Sequence, residues 1–171
     1  MLNRVPSLRM ALARVAGTFF ARADAAGERA GSAGPSPATN DNAACLPAGD
    51  AEIAAAMETA RRTLPRFFEL SRAGLRGAYL LKMSIEQAGE IEHIWMEIDS
   101  YRDGVFLGRL ANDPRNPGRY RFGDEVGLRE TDVEDWMIRT DTHRYGAYTI
   151  RALLKQMPPA DAEALRRQIR D

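Results

Sequence analysis

Between Tyr79 and Leu110 the chain reads as three strand-like runs, the first two alternating with a period of two, and two turn signals separate the runs. Nothing else in the sequence limits the fold so strongly. Tyr79, Leu81, Met83 and Ile85 alternate with Leu80, Lys82, Ser84 and Glu86. That period of two belongs to a strand with one face on a core. Gln87-Ala88-Gly89-Glu90 makes a turn, and Ile91–Ser100 follows as a second strand. Tyr101-Arg102-Asp103-Gly104 is a stronger turn signal, and Val105–Leu110 is the third strand. Connections this short imply an antiparallel meander. In the second strand, Ile94, Met96 and Ile98 point to one side, and His93, Trp95 and Glu97 to the other. A histidine and a tryptophan thus share a face that is not obviously core, and we expect that face to be partly wet.

Helical spacing flanks the meander. Ile53, Met57, Ala60, Leu64, Phe67 and Phe68 predict an amphipathic helix to about Leu70, with Asp50 as N-cap, Glu52 in its first turn and Gly74 and Gly77 ending it. Pro65 is expected to kink or divide that helix. After Asn112, Asp113-Pro114-Arg115-Asn116-Pro117-Gly118 is irregular, and Tyr120 with Phe122 is expected to form a short strand. Gly123-Asp124 reads as a turn, Glu125–Arg129 as a fourth strand and Val133–Arg139 as a fifth, with Trp136 and Ile138 opposite Asp135 and Met137. Tyr145–Met157 returns to helical spacing, Pro158-Pro159 breaks it, and Asp161–Ile169 gives a last short helix. The predicted class is α+β: an N-terminal helix, a curled antiparallel sheet of about five strands or a small partly open barrel, and C-terminal helices.

The chain of 171 residues suits one domain with an appendage, residues 50–171 and 1–49 respectively. The tail carries Arg4, Arg9, Arg14 and Arg22 with no acid before Asp24, then turns into a linker rich in Gly, Ala, Ser and Pro. It admits three readings: a secretory signal cleaved near Ala21-Arg22-Ala23, an amphipathic membrane-surface helix, or a disordered or weakly helical tail. Arg14 interrupts the apolar run, so the third is preferred and a cytoplasmic location expected, with export or membrane association as the alternative. No segment is long and apolar enough to span a bilayer. Formal net charge is zero, which argues against nucleic acid as a partner. Cys45 is the only cysteine, so no intramolecular disulfide or zinc knuckle can form.

Four motifs in order then carry a resemblance: Glu92-His93-Ile94-Trp95-Met96; Gly108-x-Leu110-x-Asn112-Asp113-Pro114; Gly123-Asp124-x-Val126; and Val133-x-Asp135-Trp136-Met137, with Lys82-Met83 leading. Over roughly Ala51 to Leu154 the chain resembles the bacterial domain of unknown function family 2314, the YegJ-like proteins. The resemblance implies domain boundaries and a fold class, but no activity or ligand.

His93 is the residue type for a general base or a metal ligand. A metal would need partners, yet His143 sits far along the chain and Glu92 points to the opposite face from His93, so no metal or cofactor is expected. Trp95 beside His93 and Glu97 suits an anchor for a partner or small ligand, whereas Trp136 reads as core and Asp135 as a turn or cap residue. Asn112-Asp113-Pro114 and Gly123-Asp124 have the chemistry of turns, and Gly108 and Gly123 are structural candidates with Pro114. Ser84 could face His93 across the hairpin, but there is no nucleophile elbow. The favoured expectation is a small non-catalytic binding or protein-interaction module. Its surface would centre on His93, Trp95 and Asn112, with Arg109, Asp113 and Asp124 around it. The alternative is a small hydrolase using His93 with Asp113 or Asp124.

Overall fold

A computed structural model describes residues 51–116 and 118–171. Every reading of the tail, including the Asp50 cap, lies outside these residues.

Helix α1 (Ala51–Arg72) is followed by strands β1 (Ala78–Gln87), β2 (Glu90–Arg102), β3 (Val105–Leu110) and β4 (Glu125–Arg129), then β5 (Asp135–Arg139), β6 (Arg144–Gly146), helix α2 (Tyr148–Leu153), helix α3 (Pro159–Gln168) and strand β7 (Ile169–Arg170). The strands form one open sheet in the order β4-β3-β2-β1-β5-β6-β7. All pairings are antiparallel except β6 with β7, which is parallel. The α+β class and the meander stand as expected. The sheet has seven strands rather than about five, and it does not close into a barrel.

Both hairpin turns use left-handed backbone. Ala88 and Gly89 have φ of 54° and 78°, and Asp103 and Gly104 have 51° and 79°, the arrangement whose twist matches paired strands. Strand β2 carries a bulge between Ile98 and Ser100. Facing it is Gly108, where an added Cβ would lie 2.0 Å from the Glu97 carbonyl oxygen, so only glycine permits this pairing.

Helix α1 runs through Pro65 as one helix, so Pro65 does not divide it. Pro65 is on the exposed side, where the carbonyl that loses its partner can meet water. The helix ends as foreseen: Gly74 has φ 74°, its N–H donates to Ser71 O (2.9 Å), and Leu75 N–H donates to Leu70 O (3.2 Å), a Schellman end. Two further expectations fail. Residues 120–122 form no strand; Tyr120 instead packs over Ile85, Ile94 and Leu110 from the β3–β4 loop. Tyr145 belongs to β6, not to a helix, because Gly146 (φ 76°) and Ala147 (φ 55°) are left-handed and turn the chain before α2 begins.

The core has two sides. Ala60, Leu64 and Phe67 of α1 pack on the first face of the sheet, against Tyr79, Leu81, Met96, Ile98, Phe106, Trp136 and Ile138. On the second face Leu80, Trp95 and Met137 meet Ala147 and Ile150, with Leu165 and Ile169 closing the cluster. Both faces of β2 are therefore buried around residues 94–96. Trp95 is 4% exposed, so the expectation of a wet tryptophan face is corrected. The helices after β6 fold back over it.

Tyr101, beside the second turn, donates its hydroxyl to a carboxylate oxygen of Glu130. That bond, aided by partial burial and the charges of Glu130 and Asp103, pushes the phenol up to about 12 from 10.0. The folded chain thus holds this proton more tightly than the unfolded one. The contribution is fully present below pH 10 and is lost as pH rises from 10.0 toward about 12. Tyr101→Phe should flatten the alkaline fall in stability over that window, as measured by urea unfolding at successive pH values.

Candidate functional site

Polar groups collect on the second face where α2 begins. Lys82 of β1 and Asp135 of β5 pair in register, and Thr149 lies above them on α2. Lys82 is 2% exposed and Asp135 is 0% exposed. The Asp135 carboxylate accepts from four donors: Trp136 N–H (2.8 Å), Tyr148 N–H (3.2 Å), Thr149 N–H (2.7 Å) and the Thr149 hydroxyl (2.6 Å). It therefore caps the first turn of α2 from a neighbouring strand, where the helix dipole favours a negative charge. Thr149 Oγ1 in turn accepts from Lys82 Nζ at 3.3 Å, and that ammonium lies 5.5 Å from the centre of the Trp95 ring. Burial pushes the Lys82 amine below its ordinary value, opposed by the charges of Asp135 and Glu134. Burial pushes the Asp135 carboxyl up, opposed first by the Thr149 hydrogen bonds.

Further along the same face the helices stop. Ser84 stands directly across from His93, and Glu86 across from Ile91. His93 Nδ1 meets Glu134 Oε2 at 2.7 Å. Glu134 is held by its own N–H, which donates to Lys82 O (2.9 Å). The carboxylate partner of His93 is thus Glu134, neither Asp113 nor Asp124. Ser84 is exposed, and Ile91 is the most open large apolar side chain among the described residues, at 64%.

The remaining sequence candidates build the β3–β4 loop. Asn112 Oδ1 accepts from Trp95 N–H (3.1 Å), while Ala111 N–H donates to Trp95 O (2.8 Å), so β3 stays tied to β2 past its formal end. Asp113 Oδ1 accepts from Phe122 N–H (2.8 Å) and Asp124 Oδ2 from Arg121 N–H (2.9 Å). Gly123, at φ 82°, donates to Leu110 O (2.8 Å). Pro114 lies within the loop. Arg109 is exposed on the second face between Asp99 (3.6 Å) and Glu125 (2.8 Å), and its guanidinium also donates to the Gly123 carbonyl of the loop (3.5 Å).

Glu92, read from the sequence as pointing away from His93, and Gln87, read only as a turn residue, complete the loop. Buried Glu92 accepts from Arg115 N–H (2.7 Å) and Asn116 N–H (3.0 Å). Buried Gln87 donates to Asn116 O and accepts from Tyr120 N–H (2.7 Å). These side chains lie on the first face, so Glu92 and His93 do point apart as the alternation required. The clamped loop presents exposed Arg115, Arg119 and Arg121 and a 57% exposed Phe122. The signal for this lay in the sequence as three arginines around an aromatic pair. Lys82, Thr149 and Glu134 carried no such signal, because their partners are remote in the chain.

No helix among the described residues is long and apolar enough to cross a membrane. No solved structure matches the chain. The chain is 31% identical over 114 residues to the uncharacterized protein YegJ of Escherichia coli K12, a span of 67% of this chain and 74% of that one. It is 38% identical over 71 residues to a putative ankyrin repeat protein of Neisseria meningitidis serogroup B, covering 40% of this chain and 28% of that protein. The model of a family described as an uncharacterized protein conserved in bacteria, DUF2314, matches residues 50–169. With that match spanning the whole folded part, the chain belongs to the DUF2314 family.

Proposed function

We propose that this chain is a small non-catalytic protein-interaction module, and that it works through the end of the sheet where the β1–β2 hairpin meets the β3–β4 loop. The observation that carries this reading is the exposure of Ile91 in the β1–β2 hairpin and of Phe122 in the β3–β4 loop, 64% and 57%, the large apolar side chains left open among the described residues. Trp95 is not part of the surface. His93 remains on it, at the border between covered and bare sheet. The loop's shape is set by buried Glu92 and Gln87, which suits a surface kept ready for a partner rather than one ordered on contact.

The test is affinity capture with the full chain. Ile91→Ser/Phe122→Ser should melt like the wild type, because both side chains are exposed. It should lose proteins that the wild type retains. Equal capture by both chains would remove the reading.

A second reading, acid–base catalysis in a hydrolase, is favoured by one observation: the 2.7 Å contact of His93 with Glu134, facing an exposed Ser84. Labelling of wild type but not Ser84→Ala by a fluorophosphonate would support it.

A further inference from the structure

The identity of the partner can be narrowed by charge, and this step rests on the interaction reading above. Seven of the fourteen exposed arginines among the described residues meet a carboxylate: Arg61 with Glu58, Arg66 with Glu69, Arg102 with Asp103, Arg109 with Glu125, Arg129 with Asp132, and Arg166 and Arg167 with Glu163. The β3–β4 loop gathers three of the others within seven residues. None of the guanidinium groups of Arg115, Arg119 and Arg121 meets a carboxylate among the described residues, and Arg119 stacks over Tyr120 at 5.3 Å. The acids close by are already engaged: Glu92, Asp113 and Asp124 accept loop N–H groups, and Glu90 accepts from Asn116 Nδ2 at 2.9 Å. Glu92, Asp113 and Asp124 thus serve the loop's own backbone, while Arg115, Arg119, Arg121 and Phe122 are exposed.

We propose that the β3–β4 loop is a docking site for an acidic segment of a partner protein, with Arg115, Arg119 and Arg121 taking its carboxylates and Phe122 an apolar side chain between them. Guanidinium forks match carboxylates in pairs, and an aromatic ring among them gives the site an apolar anchor. The chain's own first fifty residues do not fit the role, since they hold Arg4, Arg9, Arg14, Arg22 and Arg29 against Asp24, Glu28, Asp41 and Asp50. A nucleic acid fits less well than a peptide. Its continuous phosphate charge would meet exposed Glu86 and Glu90 beside the loop, and a chain with no net charge lacks the wide basic footprint that phosphate binding uses. A peptide places its few acids only where the arginines are.

Fluorescence anisotropy on the full chain tests this with three probes: a labelled peptide of glutamates and leucines, the same peptide with glutamine for glutamate, and single-stranded oligothymidylate. The acidic peptide should bind best, and its affinity should fall as salt rises. The triple variant Arg115→Glu/Arg119→Glu/Arg121→Glu should bind it about tenfold more weakly or worse, with an unchanged melting temperature. The milder Arg→Gln triple variant should show a smaller loss, and it serves if the reversed charges disturb the loop. Equal binding by wild type and both variants would overturn the proposal, as would tighter binding of oligothymidylate or of the glutamine peptide. If Ile91→Ser/Phe122→Ser loses captured proteins while the arginine variants bind the acidic peptide unchanged, the interaction reading stands and the acidic partner alone is discarded.

Discussion

Asp135→Ala should cost about 3–5 kcal/mol, a large share of the ~5–15 kcal/mol that holds a domain of this size. The carboxylate is wholly buried and receives four hydrogen bonds, three of them from α2. Alanine would leave the N–H groups of Tyr148 and Thr149 unpaired in the interior and remove the countercharge nearest Lys82. Lys82→Met should behave differently. Methionine keeps the length of the stem over Trp95 and removes a buried charge, while Asp135 retains all four donors. The expected change is within about 1 kcal/mol of the wild type, in either direction. The pH dependence separates the two roles further. The buried amine releases its proton more readily than an unfolded lysine does, so unfolding takes up a proton below the ordinary 10.5. Wild-type stability should therefore gain from this group as pH rises toward 10.5, and Lys82→Met should lack that gain. Urea titrations of the three proteins across that range give the answer. Equal losses in the two variants would mean that the Lys82 ammonium contributes as much to holding α2 as the cap does.

Phe67→Ala should be of similar size, about 3–5 kcal/mol, for an unrelated reason. Phe67 is fully buried and meets the rings of Phe68, Tyr79, Phe106 and Trp136, with centroids 5.6–6.4 Å apart and steep interplanar angles. These partners come from α1 itself and from three different strands, so a cavity there loosens the helix from the whole first face at once. Edge-to-face contacts add to the area lost from water. The midpoint of denaturation should fall without a change in slope. A loss below ~1 kcal/mol would mean that the neighbouring rings collapse into the space.

The strands β1 to β3 were legible because alternation and turn residues agree over that stretch; Asp103-Gly104 alone nearly dictates its hairpin. Asp135 and Trp136 were legible for the same reason, and the turn roles of Asn112, Asp113 and Asp124 followed from their short side chains. Trp95 was misjudged. Its strand neighbours His93 and Glu97 are polar, and only the return of α2 and α3 over Lys82 makes its position dry. Strand β6 was hidden because Tyr145 and Tyr148 share a helical spacing that two left-handed residues interrupt. The Lys82–Thr149 contact joins residues 67 apart, and no local pattern records it. Glu92 and Gln87 look like ordinary surface residues of a hairpin until the loop they clamp is in place.

Lysine is scarce in this chain: Lys82 and Lys155 are the only two. Lys155 stands in solvent against Glu52, while Lys82 is sealed beneath Thr149 and over Trp95. An acylating reagent would therefore mark the native domain at Lys155 and pass Lys82 by. An acyl group on Lys82 itself, as distinct from one on any other amine of the chain, could arrive only when α2 lifts from the sheet. The acylation of the peptide that holds Lys82, followed over time, is thus a clock for that opening, supplied by the natural sequence without any engineered probe.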